Sequence, residues 1–148
     1  MPWDTTRRGG AEEALLKRID HVGVVVDDLE RVSRLLTDVL GLELRRTLED
    51  PGRALRARFY RCGEVDIELI ELGDPQERAG RLGDVPARID HIAIEVEDLA
   101  GTATDLGEKG IRMSTPRPRV AAGASSYFTQ PDSSGGVVLQ FLERTQGA

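Results

Sequence analysis

One stretch of this sequence occurs twice. Arg18-Ile19-Asp20-His21-Val22-Gly23-Val24-Val25-Val26-Asp27-Asp28-Leu29 returns 70 residues later as Arg88-Ile89-Asp90-His91-Ile92-Ala93-Ile94-Glu95-Val96-Glu97-Asp98-Leu99. A chain of 148 residues has room for two such copies and not for a stacked array. The repeat therefore predicts two similar modules, each offering a histidine from its first strand.

Within the first copy, Ile19 to Val26 reads as a strand. Val22, Val24 and Val26 are expected to face the core, with His21, Gly23 and Val25 on the other face, where histidine and glycine suit a surface that must leave room. Asp27-Asp28 then offers an N-cap, with Glu30 three residues after Asp27 as in a capping box. Leu29, Val32, Leu35, Leu36, Val39 and Leu40 follow at helical spacing, and Gly41 closes the helix. Strands are expected over 42–48, 55–62 and 65–72, with a turn at Glu49-Asp50-Pro51-Gly52. The second copy repeats the order: a strand over 89–96, a helix from the Asp98 cap to about Lys109 closed by Gly110, then strands over 111–114, 125–129 and 136–143. The chain thus reads as an arm over 1–17 and one domain over 18–144, made of module one (18–73), a Gly-, Pro- and charge-rich linker (74–87) and module two (88–144). Each module is β-α-β-β-β, an α+β class. The tail from Arg144 is expected to fray.

Composition removes several functions. Net charge is −6, from 20 basic and 26 acidic side chains, which argues against a nucleic-acid binder. No apolar run approaches the roughly 20 residues that span a bilayer, and Met1-Pro2-Trp3-Asp4 does not open a secretory signal. The one cysteine, Cys62, rules out an intrachain disulfide and is expected to be a half-buried strand residue rather than a nucleophile. A cytoplasmic protein is the expectation.

The repeat extends to the last strand of each module. Val65-Asp66-Ile67-Glu68-Leu69-Ile70-Glu71 matches Val137-Val138-Leu139-Gln140-Phe141-Leu142-Glu143. Glu68 and Gln140 are polar in the middle of apolar strands. With the chain's only two histidines in equivalent slots, His21, Glu68, His91 and Gln140 form a candidate set that converges if the modules pair about a pseudo-twofold axis. Two imidazoles, a carboxylate and an amide oxygen suit a divalent cation of the Co, Ni, Mn, Fe or Zn kind. On the strand over 55–62, Arg56, Arg58 and Tyr60 share one face and Ala57 and Phe59 the other. If the apolar face is core, the arginines look into the cavity and can bind a carboxylate or phosphate.

These residues, in this order, resemble the vicinal oxygen chelate superfamily, whose members include glyoxalase I, extradiol dioxygenases, resistance proteins and methylmalonyl-CoA epimerase. The last is the most similar: Ile19-Asp20-His21-Val22-Gly23-Val24, Asp38-Val39-Leu40-Gly41-Leu42-Glu43 and Pro131-Asp132-Ser133-Ser134-Gly135-Gly136-Val137 look like its segments. The resemblance implies two modules forming a curved mixed sheet with a concave metal site. It also implies proton transfer next to a carbonyl through a stabilised enolate, and a small-molecule substrate such as an acyl-CoA or other acyl thioester. By position His21, Glu68, His91 and Gln140 become the ligands. In the epimerase the glutamate stands in the second module and glutamine often in the first; here the two are exchanged, which makes Glu68 the candidate base. Arg56, Arg58 and Tyr60 become candidate substrate contacts. A homodimer is the expected assembly. The alternatives are a glyoxalase-I-like lyase, an Fe(II) dioxygenase, and a resistance protein that binds a small molecule without chemistry.

Overall fold

Strand β1 (Leu16–Val26) shows how the alternation of small and branched residues is used. Val24 and Val26 pack beneath helix α1 (Leu29–Arg34), with Leu29, Leu36, Tyr60 and Leu69. Val25, on the opposite face, is buried as well, with Ala57, Phe59, Ile70 and Leu72. The odd-numbered face of β1 is therefore buried at His21, Gly23 and Val25, whereas Val22 and Val24, on the face expected to be core, are half-buried.

This is a computed structural model, and it describes residues 16–121 and 123–145. Most of the expected arm (1–15) and the last three residues lie outside them; Leu16 and Lys17 belong to β1. Two compact units make up the chain: Asp20–Ile92, and Ala93 onward together with the residues up to Ile19. The first holds β1 from Asp20, α1, β2 (Glu43–Asp50), β3 (Leu55–Cys62), β4 (Val65–Leu72), α2 (Pro75–Leu82) and the start of β5 (Ala87–Val96). Its strand order is β2-β3-β4-β1, a mixed sheet in which β1 and β4 run parallel and β2, β3 and β4 antiparallel. The second holds the end of β5, α3 (Leu99–Glu108), β6 (Arg119–Ala121), β7 (Ala124–Phe128) and β8 (Leu139–Arg144), with β6, β7 and β8 antiparallel. Its core gathers Val96, Leu99 and Phe141 with Ile94, Leu106, Tyr127 and Leu139. Among the described residues no helix is long and apolar enough to cross a membrane.

Helix starts follow local chemistry. The α1 cap is Asp28, the second of the two aspartates expected to offer one, accepting from the Arg31 N–H at 3.1 Å. Asp98 caps α3 as read from sequence. Beyond Arg34 the backbone widens into a π turn (Leu35–Val39) before Gly41, at φ +72°, ends the run. The linker is not structureless: Asp74 caps α2 and Pro75 occupies its first turn, a start signal hidden in a stretch rich in charge. Leu82 of α2 is 3% exposed and closes the apolar end of the sheet against Val25 and Phe59. The expected strand over 111–114 is a single bridge, Met113 with Thr129, and β6 forms in what read as a loop.

Candidate metal centre

His21 and Glu68 reach one point because β1 and β4 are parallel neighbours, with Gly23 opposite Glu68 and His21 opposite Asp66. His91 joins them from β5 by lying over Gly23. A Cβ at Gly23 would run into the His91 Cε1 atom, so the glycine is what admits the ring. His21 Nε2 is 3.2 Å and His91 Nε2 3.5 Å from Glu68 Oε1, and the two Nε2 atoms are 3.3 Å apart. The Phe59 ring, 5.5 Å from that of His21 and nearly perpendicular to it, walls one side. His21, Glu68 and His91 are 4%, 8% and 4% exposed.

The outer nitrogens are held too. His21 Nδ1 lies 2.7 Å from Asp20 Oδ2 and His91 Nδ1 2.8 Å from Asp90 Oδ2. A carboxylate that accepts a hydrogen bond from Nδ1–H keeps the neutral ring's proton on that nitrogen and its Nε2 lone pair aimed at the centre, as the carboxylate partners of metal-bound histidines do. Asp90 is itself gripped by Arg81 of α2, with contacts of 2.6 to 2.9 Å. The signal for these two aspartates was already in the repeated Ile-Asp-His, read above only for its histidines.

A buried carboxylate needs a positive partner, and the two imidazoles beside Glu68 supply one. Burial pushes His21 down, but Asp20 and Glu68 outweigh it and hold the ring up at about 9. Burial raises Glu68, and its contacts with His21 and His91 prevail and hold it down at about 2. His91 is raised in the same way by Asp90 and Glu68 against burial, and Asp90 is lowered by His91 and Arg81. With Nε2 atoms 3.3 Å apart, one proton fits between the rings, so it belongs to the cluster and not to both histidines.

The donors also fit a metal. Bonds of roughly 2.0–2.2 Å separate neighbouring ligands by about 3.0 Å in octahedral and about 3.4 Å in tetrahedral geometry. The observed 3.2 and 3.3 Å fall in that range and 3.5 Å lies just above it. His21, Glu68 and His91 are thus a cluster able to hold a metal ion.

The other expected residues are placed differently. Gln140, on β8, belongs to the second unit. Its Nε2 donates to Ser126 Oγ at 3.1 Å, and its Oε1 is buried without a hydrogen-bond partner among the described residues. Arg56, Arg58 and Tyr60 face α1, away from the cluster. Tyr60 is 2% exposed in the α1 core, Arg58 contacts Glu30 and Ser33 of α1, and Arg56 contacts Glu71. The expected facing is reversed because both faces of β3 are covered, the one with Arg56, Arg58 and Tyr60 by α1, so that Ala57 and Phe59 lie on the cluster side. Cys62 is exposed at the end of β3 rather than half-buried.

The profile of the Glyoxalase/Bleomycin resistance protein/Dioxygenase superfamily matches residues 18–141. The mitochondrial methylmalonyl-CoA epimerase of Mus musculus is 31% identical over 128 residues, 84% of this chain and 72% of that protein. The ethylmalonyl-CoA/methylmalonyl-CoA epimerase of Cereibacter sphaeroides is 30% identical over 130 residues, covering 85% and 97%. The crystal structure of methylmalonyl-CoA epimerase from Mycobacterium tuberculosis superposes with a TM-score of 0.81 at 24% identity, covering 89% of this chain and 91% of that one.

Proposed function

Since the chain belongs to the Glyoxalase/Bleomycin resistance protein/Dioxygenase superfamily, we propose that it is a metal-dependent epimerase acting on a 2-substituted malonyl thioester such as methylmalonyl-CoA. The observation that supports this most is the buried meeting of two aspartate-held imidazoles with one carboxylate, in a chain whose curated relatives bear that activity in their names. His21, His91 and Glu68 would hold a Co, Ni, Mn, Fe or Zn ion. Gln140 is proposed as a fourth ligand, on the strength of its orphaned carbonyl oxygen and its place in the repeat. A bound divalent cation supplies Lewis acidity, drawing electron density from a thioester carbonyl and acidifying the neighbouring C–H.

The chain's own groups do the rest. Asp20 and Asp90 keep the Nε2 lone pairs pointed inward. Phe59 and the buried surroundings exclude water. Glu68 Oε1 faces the imidazoles, which leaves Oε2 as the oxygen assigned to take the α proton and return it. On β3 the residues on the cluster side are Leu55, Ala57, Phe59 and Arg61, none of them a base at neutral pH. A homodimer in the cytoplasm is the setting this reading expects.

The test is proton–deuterium exchange at the α carbon of methylmalonyl-CoA in D₂O. Exchange that disappears on chelation and returns with added divalent ion is expected. Metal-loaded protein that exchanges nothing would end the proposal.

A further inference from the structure

Across β2, β3, β4 and β1 the register lines up Arg46, Phe59, Glu68 and Gly23 in one row on one face. The row runs from a guanidinium, through a phenyl ring, to the carboxylate of the cluster and the glycine that the His91 ring covers. A bulge in β2 creates its first member. Leu44 pairs with Tyr60 and Arg46 with Phe59, so Arg45 is one residue too many. In an unbulged strand Arg45 and Arg46 would point to opposite faces. Here Arg45 Nη1 reaches Asp66 Oδ2 at 3.0 Å, on the face that bears Glu68 two residues later. The Arg46 guanidinium lies 4.1 Å over the Phe59 ring on that same face. Bulges near functional sites re-aim side chains in this way.

The arginines on this face differ in how they are held. Arg45, and at 3.9 Å Arg61, are paired with Asp66. The Arg46 side chain makes no hydrogen bond or ion pair with any described residue. Its flat face rests on an aromatic ring and its N–H groups lie in its own plane, a geometry matched to a carboxylate or phosphate. Two strand spacings, about 10 Å, separate it from Glu68.

We propose that Arg46 is an anion-binding residue of this site, taking a carboxylate or phosphate group of a substrate whose thioester lies at the cluster. This rests on the function proposed above and deepens it: the substrate is a thioester with an anionic group within about 10 Å of its reacting carbon or on its carrier. The bulge supplies the residue, and Phe59 fixes its plane.

Two ligands separate the possible sources of the anion. Coenzyme A has the phosphates and no acyl carboxylate; methylmalonyl-pantetheine has the carboxylate and no nucleotide phosphates. Each is titrated calorimetrically into the metal-loaded wild type, Arg46→Met and Arg46→Lys, where methionine keeps an apolar chain over Phe59. Arg46→Met is expected to raise the Kd of one ligand about tenfold, and of the other less than about twofold, with a loss that shrinks in high salt. Arg46→Lys is expected to recover part of it. Unchanged affinity for both ligands in Arg46→Met overturns the inference, as does an equal loss for both accompanied by a lowered Tm. Wild-type protein that binds metal and exchanges the α proton but ignores Arg46→Met sinks this inference alone. Wild-type protein that binds neither ligand sinks it together with the proposed function.

Discussion

In module one the N-terminus of α1 is met by Glu71, whose Oε2 accepts the Leu29 N–H at 2.9 Å; in module two Glu143 Oε1 accepts the Leu99 N–H at the same 2.9 Å. Asp28 and Asp98 cap the same two helices in the same way. The duplicated scaffolding has been kept. The chemistry has not: Glu68 stands among imidazoles while Gln140 hydrogen-bonds Ser126, and Gly23, which admits a ring, is answered by a fully buried Ala93. The difference teaches that a helix cap, being local and geometric, constrains both copies alike. A ligand slot, being asked for charge, leaves them free to diverge.

The sharpest way to break this comparison is to make the slots alike. Glu68→Gln is expected to abolish α-proton exchange, a loss of about 10²–10⁴-fold, and to weaken metal binding, because it removes both the charge and the base. Gln140→Ala is expected to weaken metal affinity by only about tenfold. Isotope exchange and metal titration read both, and equal losses would erase the distinction between the copies. Next come the small residues. Gly23→Ala places a Cβ in the His91 ring and should displace that ligand, whereas Ala93→Gly should lower stability by about 1 kcal/mol and leave metal affinity alone. Metal content and a denaturant melt separate the two.

The orienting aspartates are expected to matter about equally. Asp20→Asn and Asp90→Asn should each cost about 10–100-fold in metal affinity, measured by competition with a chelating dye. A smaller effect is expected from the helix caps: Glu71→Gln and Glu143→Gln should each destabilise by about 1 kcal/mol, with metal affinity unchanged. If Glu71→Gln costs more, the extra reflects Arg56, whose guanidinium is 2.8 Å from Glu71 Oε1.

pH should sharpen the contrast further. In chelated protein His21 titrates near 9, above its ordinary 6.5. Its proton therefore stabilises the fold fully below 6.5, and that contribution fades as pH rises through about 9. Glu68, at about 2 against 4.5, contributes stability present above 4.5 and lost as pH falls through about 2. The Tm of chelated protein is thus expected to decline between 6.5 and 9, while metal-loaded protein, with that proton displaced, declines less. Thermal melts with and without chelator across this range check it.

Much of this was legible in the residues alone. The repeat, with its branched strands, Asp98 cap and closing glycines at Gly41 and Gly110, dictated two β-α-β-β-β modules because these signals act within a few residues of chain. It also marked His21, His91 and Glu68. Only the tertiary structure decided which face of β3 looks at the cluster, because Arg56 and Arg58 lie opposite Ala57 and Phe59 and either face could have been core. It alone turned Arg46 toward the site, since a bulge is a property of two paired strands and not of either one. It alone assigned Gly23 to the His91 ring, because that contact joins residues far apart in sequence, and no periodicity records who will fill a missing side chain.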